Sequence, residues 1–87
     1  MTGKLAISKS GHDKDHLYVI IREDAEYVYL ADGKLKTVEH PKKKNKKHIQ
    51  VIKQIPEEVA SLICKKEEFL NLEIKRAIKL FITGKDA

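Results

Sequence analysis

The chain has 87 residues, 41% of them apolar and 36% charged, with a formal net charge of +5. That length suits one domain without an extended catalytic cleft, and the apolar share marks a folded chain rather than a disordered one. There is no run of eighteen apolar residues and no apolar N-terminal stretch, so neither a transmembrane helix nor a secretory signal is expected. The single Cys64 cannot form an internal disulfide and fits a reducing, cytoplasmic compartment.

In chain order, residues 4–9 form a short strand candidate, and residues 10–15 (Ser-Gly-His-Asp-Lys-Asp) carry turn chemistry. Residues 17–21 have the aromatic and β-branched composition of a buried strand. Residues 26–31 read as the next strand, with Val28 and Leu30 the better pair for its core face and Tyr27 and Tyr29 on the other. Asp32-Gly33 is a type I′ hairpin signal, so residues 34–38 are expected to return as a half-exposed strand whose outer lysines, Lys34 and Lys36, extend a basic surface. Residues 48–55 alternate as a fifth strand, which Pro56 stops. Five short antiparallel strands point to a small β-barrel over residues 1–55.

From Pro56 the period changes. Pro56-Glu57-Glu58 starts a helix whose stripe is Val59, Leu62 and Ile63. Asn71 is the expected N-cap of a second helix, with Ile74, Ala77, Ile78 and Phe81 on one face and an end near Gly84. Residues 56–87 thus form a helical segment of the same domain, whose apolar stripe needs cover from the outside of the barrel or from a partner chain.

Charge is unevenly spread. Residues 1–33 carry four Lys/Arg against six Asp/Glu, a balance of −2; residues 34–53 carry eight lysines against Glu39 alone, a balance of +7; residues 54–87 carry six of each sign. Within that window, Pro41-Lys42-Lys43-Lys44-Asn45-Lys46-Lys47-His48 holds five lysines and no acid. Between two expected strands it reads as a loop held by a folded scaffold, an anion-binding surface. Its lysines would act as point charges on phosphate, with Asn45 and His48 adding hydrogen bonds.

Several residues resemble a known family. Ile7-Ser8-Lys9-Ser10-Gly11-His12-Asp13-Lys14, followed by Tyr18-Val19-Ile20-Ile21, is similar to the KOW motif of translation proteins. Ala31-Asp32-Gly33-Lys34-Leu35-Lys36 and the run from Pro41 to Gln50 resemble short bacterial KOW-domain RNA-binding proteins, relatives of KOW-containing ribosomal proteins of the large subunit. The likeness covers roughly residues 4–83 and implies a mainly β, SH3-like five-stranded barrel with a C-terminal helical pair, binding RNA. Asp15 stands where that family's turn usually carries a second glycine, and His12 and His16 stand where arginines are usual. Asp tolerates positive φ, but Asp13 and Asp15 make this turn more acidic than an RNA-facing one. That moves the expected contact onto the lysine run.

Other constellations weigh less. Tyr18 is expected in the core. The Tyr27/Tyr29 pair either stacks bases or packs under the helices. His12 and His16 are spaced for a helix face but lie in a turn without a third ligand, so they read as surface histidines; Cys64 stands alone. No nucleophile–base pair and no glycine-rich phosphate loop is present, and Glu57, Glu58, Glu67 and Glu68 read as capping and surface charges. The expected protein is non-catalytic, without cofactor or metal, binding structured RNA such as ribosomal RNA in the company of ribosomal proteins. Its contact residues are Lys34, Lys36, Lys42, Lys43, Lys44, Asn45, Lys46, Lys47 and His48, with Lys9, Ser10, Gly11, His12 and Lys14 at the margin. The rival expectation is a protein-interaction module docking through the barrel or the helices.

Overall fold

A computed structural model describes residues 1–63 and 68–84. Cys64 and Glu67 lie outside the described residues. The strands are β1 (Leu5–Ser8), β2 (Leu17–Glu23), β3 (Tyr27–Ala31), β4 (Lys42–Asn45) and β5 (Ile49–Val51), followed by α1 (Glu57–Ile63) and α2 (Asn71–Gly84). All strand pairs are antiparallel, in the order β4-β3-β2-β1-β5. The fold is a five-stranded antiparallel sheet with two helices, and the sheet is not closed.

Both faces of the sheet are apolar, because the pleat sends alternate residues of hydrophobic strands to opposite sides. Leu5, Val19 and Ala31 face the helices and share a core with Val59, Ile63, Ile74, Ala77 and Phe81. The expected stripes of both helices are therefore the buried ones, and the outside of the sheet is their cover. Ala6, Tyr18, Ile20, Val28 and Leu30 form a second cluster on the opposite face, joined by Ile49 and Val51. As expected, Tyr18 is core, and Val28 and Leu30 point inward. A bulge at Ile21 shifts the β2–β3 register, so that Ile20 opposes Leu30 while Arg22 opposes Tyr29.

Among the described residues neither helix contributes to the second cluster; curling of the sheet covers it. In a flat sheet, β4 and β5 would stand four spacings apart, about 19 Å. Yet Asn45 at the end of β4 and Ile49 at the start of β5 are joined by a single 3₁₀ turn, Lys46–His48. At about 2 Å of rise per residue this connection spans roughly 8 Å. The edges must therefore approach each other.

Five sequence expectations fail here. Residues 34–38 are not a strand, and Asp32-Gly33 is not a hairpin turn. Asp32 Oδ1 instead accepts the backbone N–H groups of Lys34 and Lys36 at 2.9 Å each, and Asp32 N and Gly33 N donate to Lys36 O. These local bonds satisfy backbone groups that a ladder would otherwise need. The return strand is instead β4, so most of the lysine run is a strand and not a loop. The fifth strand is only Ile49–Val51, because Ile52 and Ile55 both turn to the helix-side core. Finally, Asn71 is the first residue of α2 rather than its cap. Leu70 O takes the first helical N–H, from Ile74, while Asn71 Oδ1 accepts Val38 N at 2.8 Å and its Nδ2 donates to Glu39.

The 32–38 loop is thereby clamped onto the start of α2. Gly33 sits at φ +81°, and a Cβ there would lie 2.5 Å from Asn71 O and 2.7 Å from Lys75 Cγ. Gly33→Ala combines a left-handed backbone with a backbone clash and is expected to destabilise the fold by about 2–4 kcal/mol in urea unfolding. Gly84→Ala, which meets nothing within 4 Å, should stay within about 0.5 kcal/mol of the parent.

Candidate nucleic-acid interface

Antiparallel pairing places Lys44 opposite Val28, Lys43 opposite Tyr29 and Lys42 opposite Leu30. The pleat therefore sends Lys42 and Lys44 to the concave face and Lys43 to the other. On the concave side they meet the β1–β2 turn, residues 9–16. Lys44 Nζ lies 2.8 Å from Asp13 Oδ1 and donates to Ser10 O at 2.8 Å. Lys42 Nζ stands 3.5 Å from Asp13 Oδ2. Tyr18 Oη and Ser8 Oγ each donate to Asp13 at 2.9 Å. One carboxylate thus collects two ammonium groups and two hydroxyls at the mouth of the apolar second cluster.

The expectation of a lysine run with no acid to balance it is corrected by this geometry. Its counterion is Asp13, some thirty residues earlier in the chain. Glu23 is another, with Lys46 Nζ at 3.0 Å from its Oε2. Asn45 is absorbed as well, since its Oδ1 accepts Lys47 N and caps the 3₁₀ turn. Burial is the largest influence on the Asp13 carboxyl and would raise it. The hydrogen bonds from Lys44, Tyr18 and Ser8 and the charge of Lys42 together outweigh burial and hold it well below the usual carboxylate range. Burial, then the hydrogen bond to the Asp13 anion, pushes the Tyr18 hydroxyl up.

Other members of the expected site remain outward. Lys9, Gly11, His12, Lys14, Lys47 and His48 are exposed. They form one surface, because Lys9 N donates to His48 O at 2.8 Å and joins the β1–β2 turn to the 3₁₀ turn. Gly11 and Asp15 both adopt positive φ, 84° and 71°, so Asp15 does take the conformation in which a glycine was expected. Lys34 and Lys36 have no strand to ride on. They belong to the Asp32-bound loop, and Lys34 lines a groove beside α2.

Tyr27 and Tyr29 match neither alternative fully. Both are half-buried and stand outside the helix-side core, with Lys43 Nζ 4.4 Å above the Tyr27 ring and Arg22 Cζ 4.2 Å above that of Tyr29. His16 is tied down: its Nε2 lies 2.8 Å from Asp32 Oδ2, and its ring packs 4.5 Å from that of Tyr18. Among the described residues, no group of three His, Cys, Asp or Glu side chains is placed to hold a metal, and no helix is long and apolar enough to cross a membrane.

Asp13 is the residue whose role sequence reasoning missed. Its signal was visible as an acid out of place in a basic turn, but nothing in the sequence shows which lysines it meets. No protein-family model matches this chain, and no curated protein is detectably similar to it.

Because the folded Asp13 carboxyl is lowered, its contribution is complete at neutral pH. It is lost as pH falls below the unfolded value near 4 toward the lower folded one. Asp13→Asn leaves Lys44 without its charge partner and is expected to cost about 3 kcal/mol in urea unfolding at pH 7. The gap between parent and variant should narrow below pH ~4. Equal stability at pH 7 would show that the cluster does not hold the sheet.

Proposed function

We propose that this protein binds structured RNA, without catalysis, through the surface where the β1–β2 turn, β4 and the 3₁₀ turn meet. On this reading the curled sheet is an SH3-like barrel of the KOW type with an open seam, and ribosomal RNA is the leading ligand. The observation that carries the reading is a division of labour among the basic residues. Lys44 and Lys46 are spent on Asp13 and Glu23, whereas Lys9, Lys14 and Lys47 make no ion pair with any described residue and stand exposed around them. Lys42 is intermediate, at 3.5 Å from Asp13 with its side chain 31% exposed. A phosphate chain crossing this surface would meet Lys9, Lys14, Lys42 and Lys47, with His12, His48 and exposed backbone of the turn as hydrogen-bonding groups. The KOW-like sequence supports the same face, since the motif's turn is the one that docks on β4.

Binding to a labelled ribosomal RNA hairpin should weaken with salt at a log–log slope of roughly −3 to −3.5 if about four phosphates are neutralised. Gln substitution of Lys9, Lys14 and Lys47 together should lower affinity at least about tenfold and flatten the slope, since each lost phosphate contact removes nearly one unit. Lys43→Gln, on the opposite face of β4, should change little. Lys44→Gln should reduce stability instead. Unchanged RNA affinity in the triple variant would refute this surface as the anchor.

A further inference from the structure

The six acidic and six basic residues of the C-terminal third cancel in the sequence, but α2 gathers three of the cations on one side. Lys75, Arg76 and Lys79 lie on the same outward side of α2, flanked by Leu72 and Ile82, which are 74% and 52% exposed. This side borders an open groove of about 1360 Å³ whose far wall is the end of the β1–β2 turn and Lys34. Ile7, Leu17 and Ile78 supply apolar lining. None of the four cations Lys34, Lys75, Arg76 and Lys79 forms an ion pair with a described residue. Among the described residues two carboxylates line the groove: Asp32 is already engaged by His16 and by backbone N–H groups, leaving Asp15 beside the four cations.

We propose that this groove seats a short acidic amphipathic segment of a partner protein. Its carboxylates would lie on Lys34, Lys75, Arg76 and Lys79, and its apolar side chains against Leu72, Ile78 and Ile82. Charge complementarity selects an anionic occupant. The apolar flanks select among anions, because exposed leucine and isoleucine gain nothing from a phosphate backbone but are buried by an apolar stripe. Leu72 and Ile82 are ten residues apart on a helix, about 15 Å, which matches three turns of a helical ligand. The trough is also larger than the pockets that enclose small molecules, which run to about 1,000 Å³. The proposal is independent of the RNA-binding reading and uses different residues.

The test is fluorescence anisotropy on the full chain with three labelled probes. One is a fourteen-residue peptide with leucine and glutamate stripes at helical spacing, the second replaces its leucines by serine, and the third is an RNA hairpin. The proteins are the parent, Lys75→Glu/Lys79→Glu and Ile82→Ser, all altered at exposed positions, with folding checked by thermal unfolding. Expected are binding of the leucine peptide, a loss of about tenfold or more in the charge-reversed variant and of several-fold in Ile82→Ser, and weaker binding of the serine peptide. Equal affinity for both peptides would reduce the groove to a charge trap and overturn the proposal, as would absence of leucine-peptide binding or its indifference to both variants. Loss of RNA-hairpin binding in Ile82→Ser, with the leucine peptide unaffected, would assign the groove to nucleic acid instead.

Discussion

The Asp13 carboxylate is the hinge of this structure. It stands in the β1–β2 turn and binds a group from the end of β1 (Ser8), the core tyrosine of β2 and the edge strand β4. Without it, β4 would place Lys42 and Lys44 over an apolar cluster with no counterion, and a buried unpaired ammonium is among the most costly defects a small core can carry. With it, the same lysines draw the β4 edge onto the turn that follows β1. The curl enforced by the 3₁₀ connection is thereby secured by electrostatics at the seam, where no ladder of hydrogen bonds runs.

That interaction changes the meaning of the charge excess. A window of +7 suggests a surface offered whole to a polyanion, and repulsion among its lysines suggests a functional reason for them. The fold relieves much of the repulsion internally. Alternation along β4 assigns Lys42 and Lys44 to the concave side and Lys43 to the ring of Tyr27, and Lys46 reaches Glu23. The outward positive charge that remains is Lys47 of the run itself, now on the 3₁₀ helix, joined by two residues that looked marginal, Lys9 and Lys14 of the turn. The acids that made the β1–β2 turn look unsuited to RNA divide in the same way. Asp13 is consumed in structure, and Asp15 supplies a left-handed backbone position.

The helices are held by a parallel device. Asp32 folds the segment after β3 into a loop, Gly33 lets that loop touch the start of α2, and Asn71 turns its side chain away from its own helix to bind Val38 and Glu39. These contacts fix which face of α2 is buried. They also fix which face is left looking across a groove at the β1–β2 turn. In the sequence, the cations of that outer face were hidden by a balanced sum; helical period, applied to charge as well as to apolar residues, would have shown Lys75, Arg76 and Lys79 clustering.

Periodicity and composition by themselves determined β1, β2, β3, both helices and their stripes, and the inward choice of Val28 and Leu30. In each of these, burial of apolar side chains is the dominant force, and its period is written in the chain. They also determined that the chain is basic in one window and that positions 11 and 15 sit in a turn. Only the tertiary structure decided that residues 34–38 leave the sheet, since Asp32 offers their backbone nearer partners than a ladder would, and that the lysine run pairs as a strand. Only it brought Asp13 to Lys44 across some thirty residues. Contacts between charges carry no periodicity, so which cations are structural and which remain for a ligand is settled by how the sheet curls.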